Sequence, residues 1–199
     1  NMDQLKKEMI EIGRWIWEKD LTAAASGNIS VRVGQGALLI TGHDTCLGML
    51  KESDIGEINL EGEPKRKGFA PSTEKMFHAS VHKNLNTSVV LHVHPTYTNG
   101  YFAANDSIEF DTFETRLTFG EVPVIVQKTP AITDISPVIE ALKRSNIVVL
   151  KHHGVVAIGE SLRDAFFLIQ ALEEAVKIAC IRDLYVGRKN EQAAIGESK

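Results

Sequence analysis

The chain has 199 residues, 43% of them apolar and 24% charged, which are the proportions of an ordinary globular protein and exclude disordered, collagenous and disulfide-scaffold classes. A chain of this length suits a single domain, here residues 1–199, that buries roughly 70% of the surface exposed by the unfolded chain and needs no structural metal merely to fold. Its formal net charge of −4, from 22 basic and 26 acidic residues, lacks the electrostatic footprint of a nucleic-acid binder, so no nucleic-acid partner is expected.

Residues 3–19 read as a helix, with Leu5, Met9, Ile12, Ile16 and Trp17 on one face. Residues 28–33 alternate polar and apolar, as a half-buried strand does. Gly34-Gln35-Gly36 then turns the chain into a second strand over residues 37–41. A third strand spans residues 55–60 and is closed by the turn Glu61-Gly62-Glu63-Pro64. Pro71-Ser72-Thr73-Glu74 opens a helix of about 12 residues, because proline followed by small hydroxyl residues is a helix entry. Val89-Val90-Leu91 leads a strand into His92-Val93-His94. Residues 122–126 form a candidate strand, residues 136–144 a helix with Pro137 in its first turn, and residues 147–150 and 155–158 two buried strands. Ser161-Leu162-Arg163-Asp164 resembles a capping box that starts the longest helix. The pattern runs that helix to Tyr185, stops it near Gly187 and leaves the last dozen residues frayed. Strand pairs interrupted by helices predict a mixed α/β layer fold. Neither the regular alternation of a doubly wound sheet nor a Gly-x-Gly-x-x-Gly fingerprint is present.

Cys46 and Cys180 lie outside any Cys-x-x-Cys motif and fit a reducing compartment. No apolar run reaches the roughly 18 residues of a membrane span. Asn1–Lys7 lacks the apolar core of a leader. A soluble, cytoplasmic protein without a membrane partner is therefore expected.

The seven histidines all fall between His43 and His153. His92 and His94, at i and i+2 of a strand end, project to the same side and can grip one metal ion. His152-His153, ending another apolar strand, offers a third imidazole. Three histidines with an exchangeable position is the layout of a catalytic zinc site. Glu74 can serve as a fourth ligand or a general base. An H-x-H pair alone is equally compatible with plain strand surface. Ser26-Gly27-Asn28, Thr41-Gly42 and Ser72-Thr73 offer backbone N–H groups and short polar side chains. These can bind phosphate oxygens, best at a helix N-terminus, or serve only as turn and cap residues. Glu74, His78 and His82 share a helix face at i, i+4 and i+8, where surface roles or roles behind the ligands are expected for the two histidines. His43 reads as a loop histidine, Trp15 and Trp17 as packing residues, and the apolar stripe of residues 162–181 as core or subunit interface.

Taken in order, Ser26-Gly27-Asn28-Ile29-Ser30, Thr41-Gly42, Pro71-Ser72-Thr73-Glu74, His92-Val93-His94 and His152-His153-Gly154 resemble the class II aldolase/adducin superfamily over residues 5–187, in a layout most like its fuculose-phosphate aldolase branch. The resemblance implies an α/β, three-layer fold with a mainly antiparallel central sheet flanked by helices. It also implies a cyclic homotetramer with active sites between neighbouring subunits. By position, His92, His94 and His153 would hold one Zn2+ per subunit, with Glu74 as resting ligand and acid/base and His152 outside the ligand set. Gly27, Asn28, Thr41, Gly42, Ser72 and Thr73 would form the phosphate pocket. The implied reaction cleaves a ketose 1-phosphate, through a metal-stabilised enediolate, to dihydroxyacetone phosphate and an aldehyde. One departure stands out. Where that branch carries a tyrosine proton donor that reaches a neighbour's site, Phe113 is nearest here and has no proton to give, so Glu114 is either the substitute acid/base or a solvated charge. A glutamate near this place serves related methylthioribulose-1-phosphate dehydratases, which makes dehydration the alternative reaction. The epimerase branch, with aspartate in place of Glu74, fits less well, and a non-catalytic adducin-like binding module would have lost the ligand positions that are filled here.

Overall fold

The apolar runs of the sequence pair into one seven-stranded sheet in the computed structural model, which describes residues 1–196. The strands are β1 (Asn28–Val33), β2 (Ala37–Thr41), β3 (Ile55–Asn59), β4 (Val89–Val93), β5 (Val124–Val126), β6 (Ile147–Lys151) and β7 (Gly154–Gly159). They lie in the order β3-β2-β1-β4-β7-β6-β5, antiparallel at every neighbouring pair except the parallel pair β5 and β6. The helices are α1 (Met2–Glu18), α2 (Lys75–Asn84), α3 (Thr96–Ala104), α4 (Phe113–Thr118), α5 (Ser136–Leu142) and α6 (Leu162–Gly196). The fold is thus an α/β arrangement with a mainly antiparallel sheet between helical layers. Among the described residues, no helix is long and apolar enough to cross a membrane.

Side chains of successive strand residues point to opposite faces, and each face has its own cover. On one face Ile29, Val31, Leu39, Leu91, Val149 and Val155 meet Met9 and Ile16 of α1 and Phe166, Ile169 and Leu172 of α6. On the other, Val90, Val148 and Val156 meet Phe77 and Val81 of α2 and Val138 and Leu142 of α5. The alternation of β1 therefore has a cause other than solvent. Asn28 and Ser30 are both buried, and their polar side chains face α2. The expectation of a half-buried strand is overturned because α2 brings polar partners to meet the polar face.

Two boundaries and one helix face differ from the sequence pattern. Helix α2 begins at Lys75, with Glu74 at its cap position, because Lys75 N–H donates to the Ser72 carbonyl (3.0 Å) in a turn that precedes the helix. Helix α6 continues past Gly187 to Gly196, since one glycine costs a helix only about 1 kcal/mol. The frayed segment expected there is therefore helical as far as Gly196, and residues 197–199 lie outside the described residues. Trp17 is 44% exposed rather than on the buried face, where Gly13 stands instead. Helices α3 and α4 lack an amphipathic repeat, and the sequence pattern does not predict them.

Helix α3 starts immediately after His94 and Pro95, and its first turn has no side-chain cap of its own. Buried Glu173 of α6 supplies one: its carboxylate accepts from Tyr97 N–H (3.0 Å), Thr98 N–H (2.9 Å) and the Thr98 hydroxyl (2.7 Å). A carboxylate at a helix N-terminus also meets the positive end of its dipole. Glu173→Gln turns an amide NH2 toward these donors, and the variant is expected to lose about 1–3 kcal/mol of unfolding free energy in urea titration.

Candidate active site

The centre of the sheet assembles the site. Antiparallel register places Asn28 of β1 opposite His92 of β4, and His92 opposite Val156 of β7. His94 follows β4 on the same side as His92. The β6–β7 connection is tight: His152 adopts φ +64° and is exposed, and the chain then turns His153 over β4. Gly154 makes this approach possible, because a Cβ there would fall 2.6 Å from His94 Cδ2 and closer still to the Val93 carbonyl oxygen.

The three imidazoles meet edge to face, with ring centroids 4.7–5.1 Å apart. His92 Nε2 lies 3.1 Å from His94 Nε2 and 3.3 Å from His153 Nε2. The Glu74 carboxylate closes the group, 3.3 Å from His92 Nε2 and 3.8 Å from His153 Nε2. His92 Nδ1 donates to the Val155 carbonyl at 3.0 Å, so its Nε2 carries a lone pair. Burial, reinforced by the neighbouring His153, lowers the His92 pKa to about 3. His94 falls to about 3 through burial and its two neighbouring imidazoles, against the opposing pull of Glu74. Burial also lowers His153, again opposed by Glu74. Neutral imidazoles aiming lone pairs at one point repel unless a cation lies between them. Zinc with nitrogens at 2.0–2.1 Å spaces tetrahedral ligands about 3.3 Å apart, so the donor set fits a divalent ion.

A cleft of about 240 Å³ opens beside this group. At roughly 30 Å³ per water it has the capacity of a small metabolite. Gly27, Asn28, Gly42, Ser72, Thr73 and Glu74 line it together with His94 and His153. Among the described residues no Lys or Arg lines it, so an anion there would rely on N–H groups, hydroxyls and any bound cation. Thr41 is not brought to the wall. It is fully buried, its hydroxyl accepting from Ile29 N–H (3.1 Å) and its carbonyl from Ser72 N–H (3.0 Å), and so it braces two loops from behind. The loop tip reaching the cleft is His43-Asp44, with Asp44 at φ +56°. Asparagine and aspartate favour that conformation, the one local signal that marked this turn. Ser72 and Thr73 lie in the turn before α2 rather than inside it; the Ser72 hydroxyl accepts from Glu74 N–H (3.2 Å) and orients the carboxylate residue.

Three other predicted positions lie away from the cleft. Exposed Glu114 is on α4 and borders a separate groove against α6, with Asp164 and Phe167, so it does not converge on the histidines of its own chain. Of the two roles expected for His78 and His82, the structure has the one behind the ligands: both are buried and bond to Ser30, and His78 also meets Asn28. Sequence reasoning missed Asn99, whose amide donates to the His153 carbonyl (3.2 Å), because α3 carries no periodic signal.

The model of the family described as Class II Aldolase and Adducin N-terminal domain matches residues 7–180. The chain belongs to this family, whose homologues of this kind are metal-dependent lyases. An L-fuculose phosphate aldolase of Methanocaldococcus jannaschii is 29% identical over 88% of this chain and 96% of that protein. A 3-oxo-tetronate 4-phosphate decarboxylase of Haemophilus influenzae is 30% identical over 87% of this chain and 85% of that protein. The crystal structure of an L-fuculose-1-phosphate aldolase from Thermus thermophilus superposes with a TM-score of 0.84 at 28% identity, covering 93% of this chain and 97% of that one.

The buried histidines contribute to the pH dependence of stability on the acid side. Burial and the nearby Arg32 cation lower His82 to about 4, against an unfolded value near 6.5. Between those values the unfolded chain binds a proton that the folded chain refuses, so stability is full above pH 6.5 and falls as pH drops toward 4. His82 adds up to about 1.4 kcal/mol per pH unit to that slope. Urea unfolding of metal-free protein from pH 7 to pH 4 is expected to show a shallower decline in His82→Gln than in the parent chain.

Proposed function

We propose that the chain is a zinc-dependent sugar-phosphate aldolase, cleaving a ketose 1-phosphate to dihydroxyacetone phosphate and an aldehyde. The observation that carries this reading is the convergence of three imidazole Nε2 atoms and the Glu74 carboxylate at the rim of a small cleft walled by N–H-rich loops. His92, His94 and His153 would hold the ion, with Glu74 a ligand in the resting site. A bound divalent cation supplies Lewis-acid stabilisation of the negative charge that develops on substrate oxygen. Gly27, Asn28, Gly42, Ser72 and Thr73 would orient the phosphate, so that binding energy remote from the reacting carbon serves the chemical step. Thr41 would act by bracing these loops. Glu74 would move the proton at the reacting carbon, its carboxylate held by the Asn28 amide at 2.9 Å. Glu114, exposed on α4, would serve a neighbouring subunit's site in a homotetramer.

The likeness to 3-oxo-tetronate 4-phosphate decarboxylases favours a second reading of the same site. Aldol cleavage and loss of CO2 beside a carbonyl both leave an electron pair that a carbonyl oxygen must absorb, and one cation serves both. Zinc-loaded protein is expected to release dihydroxyacetone phosphate from a ketose 1-phosphate, followed by a coupled reductase. Release of CO2 from a 3-oxo-tetronate 4-phosphate, with no such cleavage, would replace the aldolase reading with the decarboxylase. Loss of water with the carbon chain intact, read by product mass, would identify a dehydratase.

His92→Ala is expected to abolish most metal uptake, measured by elemental analysis after dialysis against zinc, while His152→Ala retains about one ion per chain. Equal loss in both variants would mean that the wrong member of the pair had been chosen.

A further inference from the structure

Glu74 is the end of a buried file of polar groups that crosses the layer between β1 and α2. The Asn28 amide donates to Glu74 Oε2 (2.9 Å), and its Oδ1 is in close contact with His78 Nε2. His78 Nδ1 meets the Ser30 hydroxyl at 2.6 Å, the hydroxyl meets His82 Nε2 at 2.9 Å, and His82 Nδ1 faces the Thr87 carbonyl at 3.3 Å. His78 and Ser30 are fully buried and His82 nearly so. Such a file within a hydrophobic layer persists only if its hydrogens are distributed without conflict.

Counting those hydrogens fixes their direction. The file has five links, and acceptors stand at both ends. Neutral imidazoles contribute one hydrogen each, the serine one, and the amide one on its Glu74 side, which makes four. One link must go without. The Thr87 link is the longest, and the Thr87 carbonyl already accepts from Arg32 Nε (3.2 Å), so this link can lack a proton at least cost. The other four donors then all point toward Glu74: His82 Nε2–H to Ser30, Ser30 O–H to His78 Nδ1, His78 Nε2–H to Asn28 Oδ1, and Asn28 N–H to the carboxylate. The reverse arrangement would turn Asn28 Oδ1 against the carboxylate. Burial of His78 and His82, with the Arg32 cation beside the latter, keeps both imidazoles neutral.

We infer that His78 is a positioning residue for Glu74: its Nε2 proton, fixed there by Ser30, locks the Asn28 amide with NH2 toward the carboxylate. The consequence for turnover rests on Glu74 moving a proton in the proposed reaction; the hydrogen-bond direction does not.

Two measurements separate these. In zinc-loaded protein labelled with 15N-histidine, the His78 ring is expected to carry its proton on Nε2 with Nδ1 bare, and Ser30→Ala is expected to release that single tautomer into a mixture. A proton on Nδ1, or on both nitrogens, in the parent protein overturns the inference whatever reaction the protein catalyses. On the substrate that the parent turns over, His78→Phe keeps the ring's shape without its donor and is expected to lower kcat about tenfold or more, with KM and metal content within about twofold. His78→Gln, whose amide nitrogen can take the Nε2 place, is expected to recover most of the loss. Equal activity in the Phe and Gln variants overturns the positioning role. If His78→Phe fails to fold, Ser30→Ala carries the kinetic test, and unchanged kcat there overturns it equally. Absence of turnover on every substrate tried, with the Nε2 tautomer present, counts against the proposed reaction and leaves the file's direction standing.

Discussion

Three imidazoles, His92 fully buried and His94 and His153 partly so, converge on one point, and much of the architecture around β4 holds them there. Like dipoles held 3.1–3.3 Å apart are unfavourable without a cation between them. The backbone compels the approach: the Val155 carbonyl fixes the His92 tautomer, and Gly154 lets the β6–β7 turn close over β4. Glu173 anchors α3 directly after His94, and Asn99 of α3 holds the His153 carbonyl. The donors are thus held from the backbone side, and a bound ion would meet ligands already in place. Preorganisation of this kind lowers the ordering cost of binding a metal.

Around this centre the two faces of the sheet do different tasks. The face under α1 and α6 is a conventional apolar core. The face under α2 interleaves an apolar cluster with the polar file from Glu74 to His82. Burying five polar side chains in that layer is tolerable only because nearly every group has a partner, since an unpaired buried donor or acceptor costs about 1–3 kcal/mol. A requirement for such completeness couples distant positions. Ser30 and His82 touch neither the cleft nor the histidine cluster, yet each contributes to the orientation of the carboxylate that does.

Much of this was legible in the sequence, and the misses share a cause. Strands with strong apolar content announced themselves, and β1 and β2 fall within the predicted bounds because glycines punctuate them. Helices α3 and α4 were not legible, because both are short and the apolar face of α3 is interrupted by Thr98 and Asn99. The histidine cluster could be proposed because strand alternation puts His92 and His94 on one side, whereas choosing His153 over His152 required the resemblance. The polar alternation of Asn28, Ser30 and Arg32 was visible but ambiguous: period two says that one face is polar, not whether water or another element meets it. The complement was also visible, as His78 and His82 one turn apart on α2. Only the packing of α2 on β1 shows that the two patterns answer one another. Thr41 failed for a related reason, since a small hydroxyl residue in a loop can turn inward to satisfy backbone groups as readily as outward to a ligand.

The cleft's charge bears on how relatives with different reactions can share one kind of site. Its described wall has no Lys or Arg, and carries the carboxylate of Glu74 with Asp44 at the loop tip. Fixed positive charge is therefore not what would select an anionic substrate. In the proposed reading, selection would fall instead on N–H groups and hydroxyls of the loops and on a bound cation. Such parts would suit any small phosphorylated molecule that must develop negative charge beside a carbonyl, whichever bond breaks. In the proposed reading that distinction would belong to other groups at the cleft, whose lining includes Pro130 and Ala131 from outside the histidine strands. On this reading the shared chemistry of such a site would reside in the sheet, and its choice of reaction in loop or neighbouring groups that the sheet does not constrain.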